Sequence, residues 1–113
     1  MTESYYRKLL ASDNSYLFFI TDGGNIAGML TVGVYKSPTG IKAWIEDVVV
    51  DDSYRGQGLG RLLVEHAISF AGSLGAGSLM LTSNPSRVAA NKLYQSLNFA
   101  RKETNVYRMA FEQ

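Results

Sequence analysis

Cysteine is absent from the 113 residues and histidine occurs once. Disulfides, thiolate metal sites and a cysteine nucleophile are therefore excluded, and the lone His66 cannot build a histidine-rich metal cluster or a Cys–His pair. Long apolar runs are also missing. No stretch is long enough to span a bilayer, and residues 1–4 do not read as a secretory leader. An excess of one charge is missing too: 11 basic residues face 10 acidic ones, for a net charge of +1. Nothing global points to nucleic acid or to an anionic membrane, so any anion site must be local. The expectation is a cytoplasmic protein without a metal centre.

What the chain does have is a core. Its hydrophobic fraction of 46% suits one small folded domain over residues 1–113, without repeats, low-complexity tracts or a linker. Residues 2–11 read as a short helix, with Thr2 as cap and Tyr5, Tyr6, Leu9 and Leu10 at helical spacing. Residues 12–15 break it. Residues 16–21 and 26–35 read as two strands joined at Asp22-Gly23-Gly24-Asn25, an antiparallel hairpin. Residues 36–40 form a loop, and 41–50 a third, central strand. A helix follows over about 58–71, with Leu59, Leu62, Leu63, Ala67, Phe70 and Leu74 on one face. Glycines between 72 and 77 end it. Residues 78–83 read as a buried strand, so the strand–helix–strand order predicts a parallel crossover. A last helix spans about 84–97 with Val88, Ala89, Leu93 and Leu97 toward the core, and residues 106–111 form a final strand. The sum is an α+β fold, with a mixed, mostly antiparallel sheet flanked by helices.

The chain is organised around Trp44-Ile45-Glu46-Asp47-Val48-Val49-Val50 and the turn Arg55-Gly56-Gln57-Gly58-Leu59-Gly60-Arg61. An apolar strand runs into a glycine loop, and a helix starts at once. Successive N–H groups and the helix dipole make such a junction a cradle for a phosphorylated ligand. A dinucleotide fingerprint would need glycine where Arg61 stands, and a triphosphate loop would need Gly-Lys-Ser/Thr. The pattern that fits is Arg/Gln-x-x-Gly-x-Gly/Ala. A glycine-rich turn with no ligand is the plain alternative.

The stretch from Ile45 to Gly60 resembles the acetyl-coenzyme A signature of the GNAT acetyltransferase family. Asn84-Pro85-Ser86-Arg87-Val88-Ala89-Ala90-Asn91-Lys92-Leu93-Tyr94-Gln95-Ser96-Leu97-Asn98-Phe99 resembles that family's second signature, commonly A-x-x-L-Y-x-x-x-G-F. The resemblance implies a GNAT-type acyltransferase fold with a splayed parallel strand pair. It implies that the backbone of Val48, Val49 and Val50 holds the pantetheine arm and acetyl carbonyl, and that residues 55–61 hold the pyrophosphate. The resemblance implies further coenzyme contacts at Asn84, Arg87 and Asn91. Arg87 departs from the pattern, because many members carry Asn there. Asn98 stands where Gly is usual, and Asn tolerates the left-handed conformation. Only one short helix precedes the hairpin, where members usually have a strand and a longer helical region. The domain therefore reads as a shortened member whose acceptor side is open or is completed by a second subunit, a homodimer.

Acetyl transfer to an amine needs a proton acceptor and a donor to the leaving thiolate. Glu46 and Asp47 are the candidate acceptors. Strand alternation puts Glu46 on one face with Trp44, Val48 and Val50, and Asp47 on the other with Ile45 and Val49. Either is a general base or a structural carboxylate, with Glu46 preferred. Tyr94, the tyrosine of the second signature, is the candidate acid, and a packed core ring is its plain reading. His66 reads as a boundary side chain. Arg61 and Lys92 are phosphate neighbours or solvated helix residues, and Tyr107 an acceptor-site or packing residue. The function implied is transfer of acetyl from acetyl-coenzyme A to a small-molecule or peptide amine by direct attack in a ternary complex. A non-catalytic coenzyme-binding module and an interaction subunit are the alternatives.

Overall fold

The computed structural model describes residues 5–12 and 14–111. The chain falls into two compact units, Met1–Thr82 and Ser83–Gln113.

The first unit is a five-stranded sheet in sequential order, β1 (Tyr5–Ser12), β2 (Ser15–Asp22), β3 (Asn25–Ser37), β4 (Gly40–Val50) and β5 (Ser78–Met80). The first four strands are antiparallel neighbours, and β5 lies parallel to β4. Helix α1 (Leu59–Ser73) connects β4 to β5, which is the crossover a parallel pair requires. The mixed sheet, its parallel pair and the α+β class match the expectation.

The segment before the hairpin does not. Over residues 5–11 the chain is strand, not helix, and Tyr5 to Leu10 pair in unbroken register with Thr21 to Tyr16. A short apolar run carries no decisive period. Backbone pairing along the edge of β2 outweighs the helical spacing of two tyrosines and two leucines, and tyrosine itself favours strands. Ser12 pairs with Ser15, so β1 turns tightly into β2. A strand, not a helix, therefore precedes the hairpin. The proposed cap, Thr2, lies outside the described residues.

The β2–β3 turn is as expected, with φ of 55° at Gly23 and 94° at Gly24, values that glycine adopts at little cost. The loop read over 36–40 is shorter. Ser37 pairs with Gly40, and the Ser37 Oγ accepts from the Thr39 N–H at 3.3 Å, so Pro38 and Thr39 alone make the turn.

One face of the sheet carries α1. Phe18, Ile20, Leu30, Val32, Ala43 and Ile45 are buried, as are Leu59, Leu63, Val64, Ala67 and Ala71 of the helix. Phe70 stacks edge-on against Phe18 at 5.0 Å and Tyr16 at 4.8 Å, and His66 against Phe18 at 4.7 Å. Leu62 is exposed, so the buried stripe is centred nearer Val64 than the sequence suggests. At the C-terminal end, Gly75 takes φ 77°. Ala76 N–H bonds to the Ala71 carbonyl and Gly75 N–H to that of Gly72, each at 3.1 Å. This is a Schellman stop.

The second unit holds α2 (Val88–Ser96). It starts later than expected, because residues 84–87 form a turn closed by Asn84 Oδ1 on the Ser86 N–H at 2.9 Å. Tyr94 is its buried residue, while Val88 and Ala89 are exposed rather than core. Asn98 adopts φ 71°, and Phe99 N–H reaches the Tyr94 carbonyl at 3.0 Å, so asparagine makes the helix stop usually left to glycine. Residues 81–83 and 106–111, both expected to be strand, are not in the sheet. The tail has strand composition, but without a paired neighbour its backbone gains no ladder, and Tyr107 is 89% exposed.

Candidate active site

The central strand is irregular where the two acids sit. Val49 is opposite Met29 and Glu46 is opposite Thr31, so β4 uses one more residue than β3 between these pairs. That is a β-bulge. Its marker is Asp47, a non-glycine residue with φ 54°, a region that asparagine and aspartate tolerate better than other side chains. The bulge reverses the alternation of faces. Ala43 and Ile45 are buried before it, and after it Val48 and Val50 are half-buried while Val49 is 50% exposed. Glu46 therefore keeps company with Trp44 but not with Val48 and Val50, contrary to the strict alternation read from sequence. Both acids are exposed.

On its other edge β4 is paired to β5 only over Lys42–Ser78, Ala43–Leu79 and Trp44–Met80. From Ile45 to Val50 that edge has no ladder partner among the described residues. The bulge and the end of the parallel ladder fall within three residues of each other, and open β4 just where the valines begin. Gly28, across from Val50, permits this geometry. A Cβ there would lie 3.1 Å from Leu63 Cδ1 and 3.2 Å from the Val49 carbonyl.

The loop after β4 is built from short-range bonds. Asp51 N–H donates to the Ala27 carbonyl at 2.9 Å. The Asp51 carboxylate accepts from Ser53 N–H at 3.0 Å and from Ser53 Oγ at 2.6 Å, capping a 3₁₀ turn over Asp52–Tyr54. These bonds, with a weaker contribution from the Arg55 charge, hold the Asp51 carboxyl below its ordinary value. Partial burial, and then the neighbouring Asp22 of the β2–β3 hairpin, push the Tyr54 phenol up. Arg55 pairs with Asp52 at 3.0 Å, both side chains largely in solvent.

The glycines then turn the chain into α1. Gly56 has φ 80° and Gly58, the N-cap, has φ 76°. No side chain caps the helix, and a Cβ at either glycine would meet nothing within 4 Å. The left-handed backbone explains these two glycines, and Gly60 lies inside the helix. An uncapped helix start beside open space, with Arg55 at its edge, suits an anion. Arg61 is paired with Glu65 at 4.0 Å on the exposed helix surface.

In the second unit, Asn91 Nδ2 donates to the Asn84 carbonyl at 3.0 Å and the Arg87 carbonyl at 2.9 Å. Both amide hydrogens of Asn91 thus fasten the start of α2, a role its place in the signature did not reveal. Arg87 is exposed at the N-cap. Tyr94 packs edge-on with Phe99 at 6.1 Å. Burial holds the His66 imidazole below its ordinary value, as suits a boundary side chain. Among the described residues no three His, Cys, Asp or Glu side chains converge to hold a metal, and no helix is long and apolar enough to cross a membrane.

Known proteins resemble this chain in sequence and in fold. The chain is 35% identical over 82 residues to the [ribosomal protein bS18]-alanine N-acetyltransferase of Escherichia coli K12, covering 73% of this chain and 53% of that protein. It is 36% identical over 77 residues to the streptothricin acetyltransferase of Streptomyces lavendulae, covering 68% and 40%. The chain thus spans about half the length of these curated relatives or less. An aminoglycoside acetyltransferase from an uncultured soil metagenomic sample superimposes with a TM-score of 0.80 at 24% identity, over 93% of this chain and 70% of that one, and so shares the fold. The family model described as Acetyltransferase (GNAT) family matches residues 1–99. With both signatures inside that match, and the bulged strand and glycine loop in place, the chain belongs to the GNAT acetyltransferase family.

Proposed function

We propose that residues 1–113 act as one acetyltransferase domain, cytoplasmic in setting, that moves the acetyl group of acetyl-coenzyme A to a primary amine in a ternary complex. The observation that carries this reading is the opening of β4. Beyond the Trp44–Met80 pair its edge has no ladder partner among the described residues, Asp47 bulges, and the strand leads directly into an uncapped helix start. Those backbone groups of the Val48-Val49-Val50 run that face this edge suit the amides and acetyl carbonyl of an extended thioester arm. The N–H groups of residues 56–61, with Arg55 beside them, suit its pyrophosphate. Asn84, Arg87 and Asn91 are assigned coenzyme contacts on the second signature alone. Asn91 would act through its oxygen or by shaping the turn, since its N–H groups are engaged.

Glu46 takes the amine's proton, directly or through water. The amine nitrogen forms its bond to the carbonyl carbon as the carbon–sulfur bond breaks, and Tyr94 gives its phenolic proton to the departing thiolate. No thiol exists to carry the acetyl group, which agrees with direct transfer. The acceptors named for the relatives, streptothricin and a ribosomal-protein alanine, are amines of very different size. Calorimetry with coenzyme A tests the cradle, and turnover of the double variant Glu46→Gln/Tyr94→Phe tests the assigned roles. Tight coenzyme binding with turnover lost supports both. Unchanged turnover removes the roles, and absent binding removes the reading.

A further inference from the structure

The sheet face opposite α1 carries a shallow, open concavity of about 520 Å³ at Trp44 and Glu46. Its floor is a missing side chain. Gly33 sits directly across from Trp44 in the β3–β4 ladder, and a Cβ there would meet nothing within 4 Å. Its wall is aromatic: the Trp44 indole N–H donates to the Tyr35 hydroxyl at 3.4 Å, which couples the two rings across the strands. At one end stands Glu46, exposed and without a hydrogen bond or ion pair among the described residues. Asn14 and Ser15 close the other end. No lysine or arginine among the described residues lines it, although Lys42 lies across from Tyr35 in the ladder, one pleat beyond Trp44.

The chemistry of this notch is one-sided. An unpaired carboxylate attracts an ammonium, and indole and phenol faces attract cations and aliphatic chains. Among the described residues, nothing lining the notch offers a positive charge to an anionic group. We propose that the notch between Gly33, Tyr35, Trp44 and Glu46 is the acceptor subsite, and that it selects small aliphatic or polycationic amines over amines that carry a carboxylate or phosphate. This rests on the acetyltransferase reading, which makes Glu46 the end of the notch where the amine loses its proton. The aromatic wall then positions the rest of the acceptor.

Trp44 is the single tryptophan of the chain, so its emission reports on the notch without coenzyme or turnover. Titration of the full chain with putrescine, butylamine and γ-aminobutyrate compares a diamine, a neutral-tailed amine and a carboxylate-tailed amine of similar length. The proposal expects a saturable emission change with putrescine and butylamine, and affinity lower by about fivefold or more for γ-aminobutyrate. Glu46→Gln should weaken putrescine by about fivefold. Gly33→Val should abolish the saturable response by filling the notch, with circular dichroism and coenzyme A binding unchanged. Equal affinity for all three amines, or a putrescine response that survives Gly33→Val, overturns the subsite. Absence of any saturable change overturns it as well. Coenzyme A calorimetry on the same protein reads the acetyltransferase assignment separately, so the two can fail independently.

Discussion

At the scale of single residues, the two adjacent acids separate by backbone rather than by charge. Asp47 holds the bulge with φ 54°, whereas Glu46 sits in regular strand geometry beside the notch. The account predicts that Asp47→Gly folds and retains most turnover, because glycine accepts that backbone. Glu46→Gln should lower kcat by about 10²-fold, with coenzyme A affinity unchanged. Steady-state kinetics beside calorimetry checks both. Sequence left these residues unresolved, since period-two alternation contains no information about a bulge. A second residue-scale prediction concerns His66. Burial favours its neutral form, so its folded value lies below the 6.5 of an unfolded chain. The unfolded state then binds more protons in that range, and stability falls as pH drops below about 6.5. Denaturant midpoints at pH 7.5 and 5.5 should show this loss, and His66→Gln should reduce the difference.

At the scale of elements, the glycine loop and α1 could be read almost completely in advance. Strand–glycine–helix composition and the caps that end α1 are local signals, and local signals survive folding. The N-terminal strand could not be read, because its partner, the edge of β2, is a tertiary fact. The tail at 106–111 erred the other way: its composition favours a strand, but a strand needs a neighbour. The loop also offers the sharpest element-scale test. Gly58 is the N-cap of α1 at φ 76°, so Gly58→Ala should cost about 1–2 kcal/mol of stability through left-handed strain. By shifting the first-turn N–H groups it should also weaken coenzyme A binding. Gly72→Ala, in the same helix and in open space without positive φ, should be neutral or stabilising. Thermal melts and calorimetry on the pair separate backbone strain from a general effect of added methyl groups.

At the scale of the whole molecule, family membership rests on two signatures and a fold that agree with each other. Both motifs were visible as residues, and the parallel crossover followed from element order. The early end of the β4–β5 ladder was legible only through the family resemblance, which implies a splayed pair, and not in composition: β5 ends at Met80 although Leu81, Thr82 and Ser83 continue the strand-like composition. The chain spans about half the length of its curated relatives or less, so activity of these residues themselves is the central claim. The most direct test is thiol release from acetyl-coenzyme A by the purified chain, with and without putrescine. The account predicts amine-dependent release, one thiol for each acetylated amine found by mass spectrometry, lost in Glu46→Gln. Coenzyme binding without amine-dependent thiol release would contradict it.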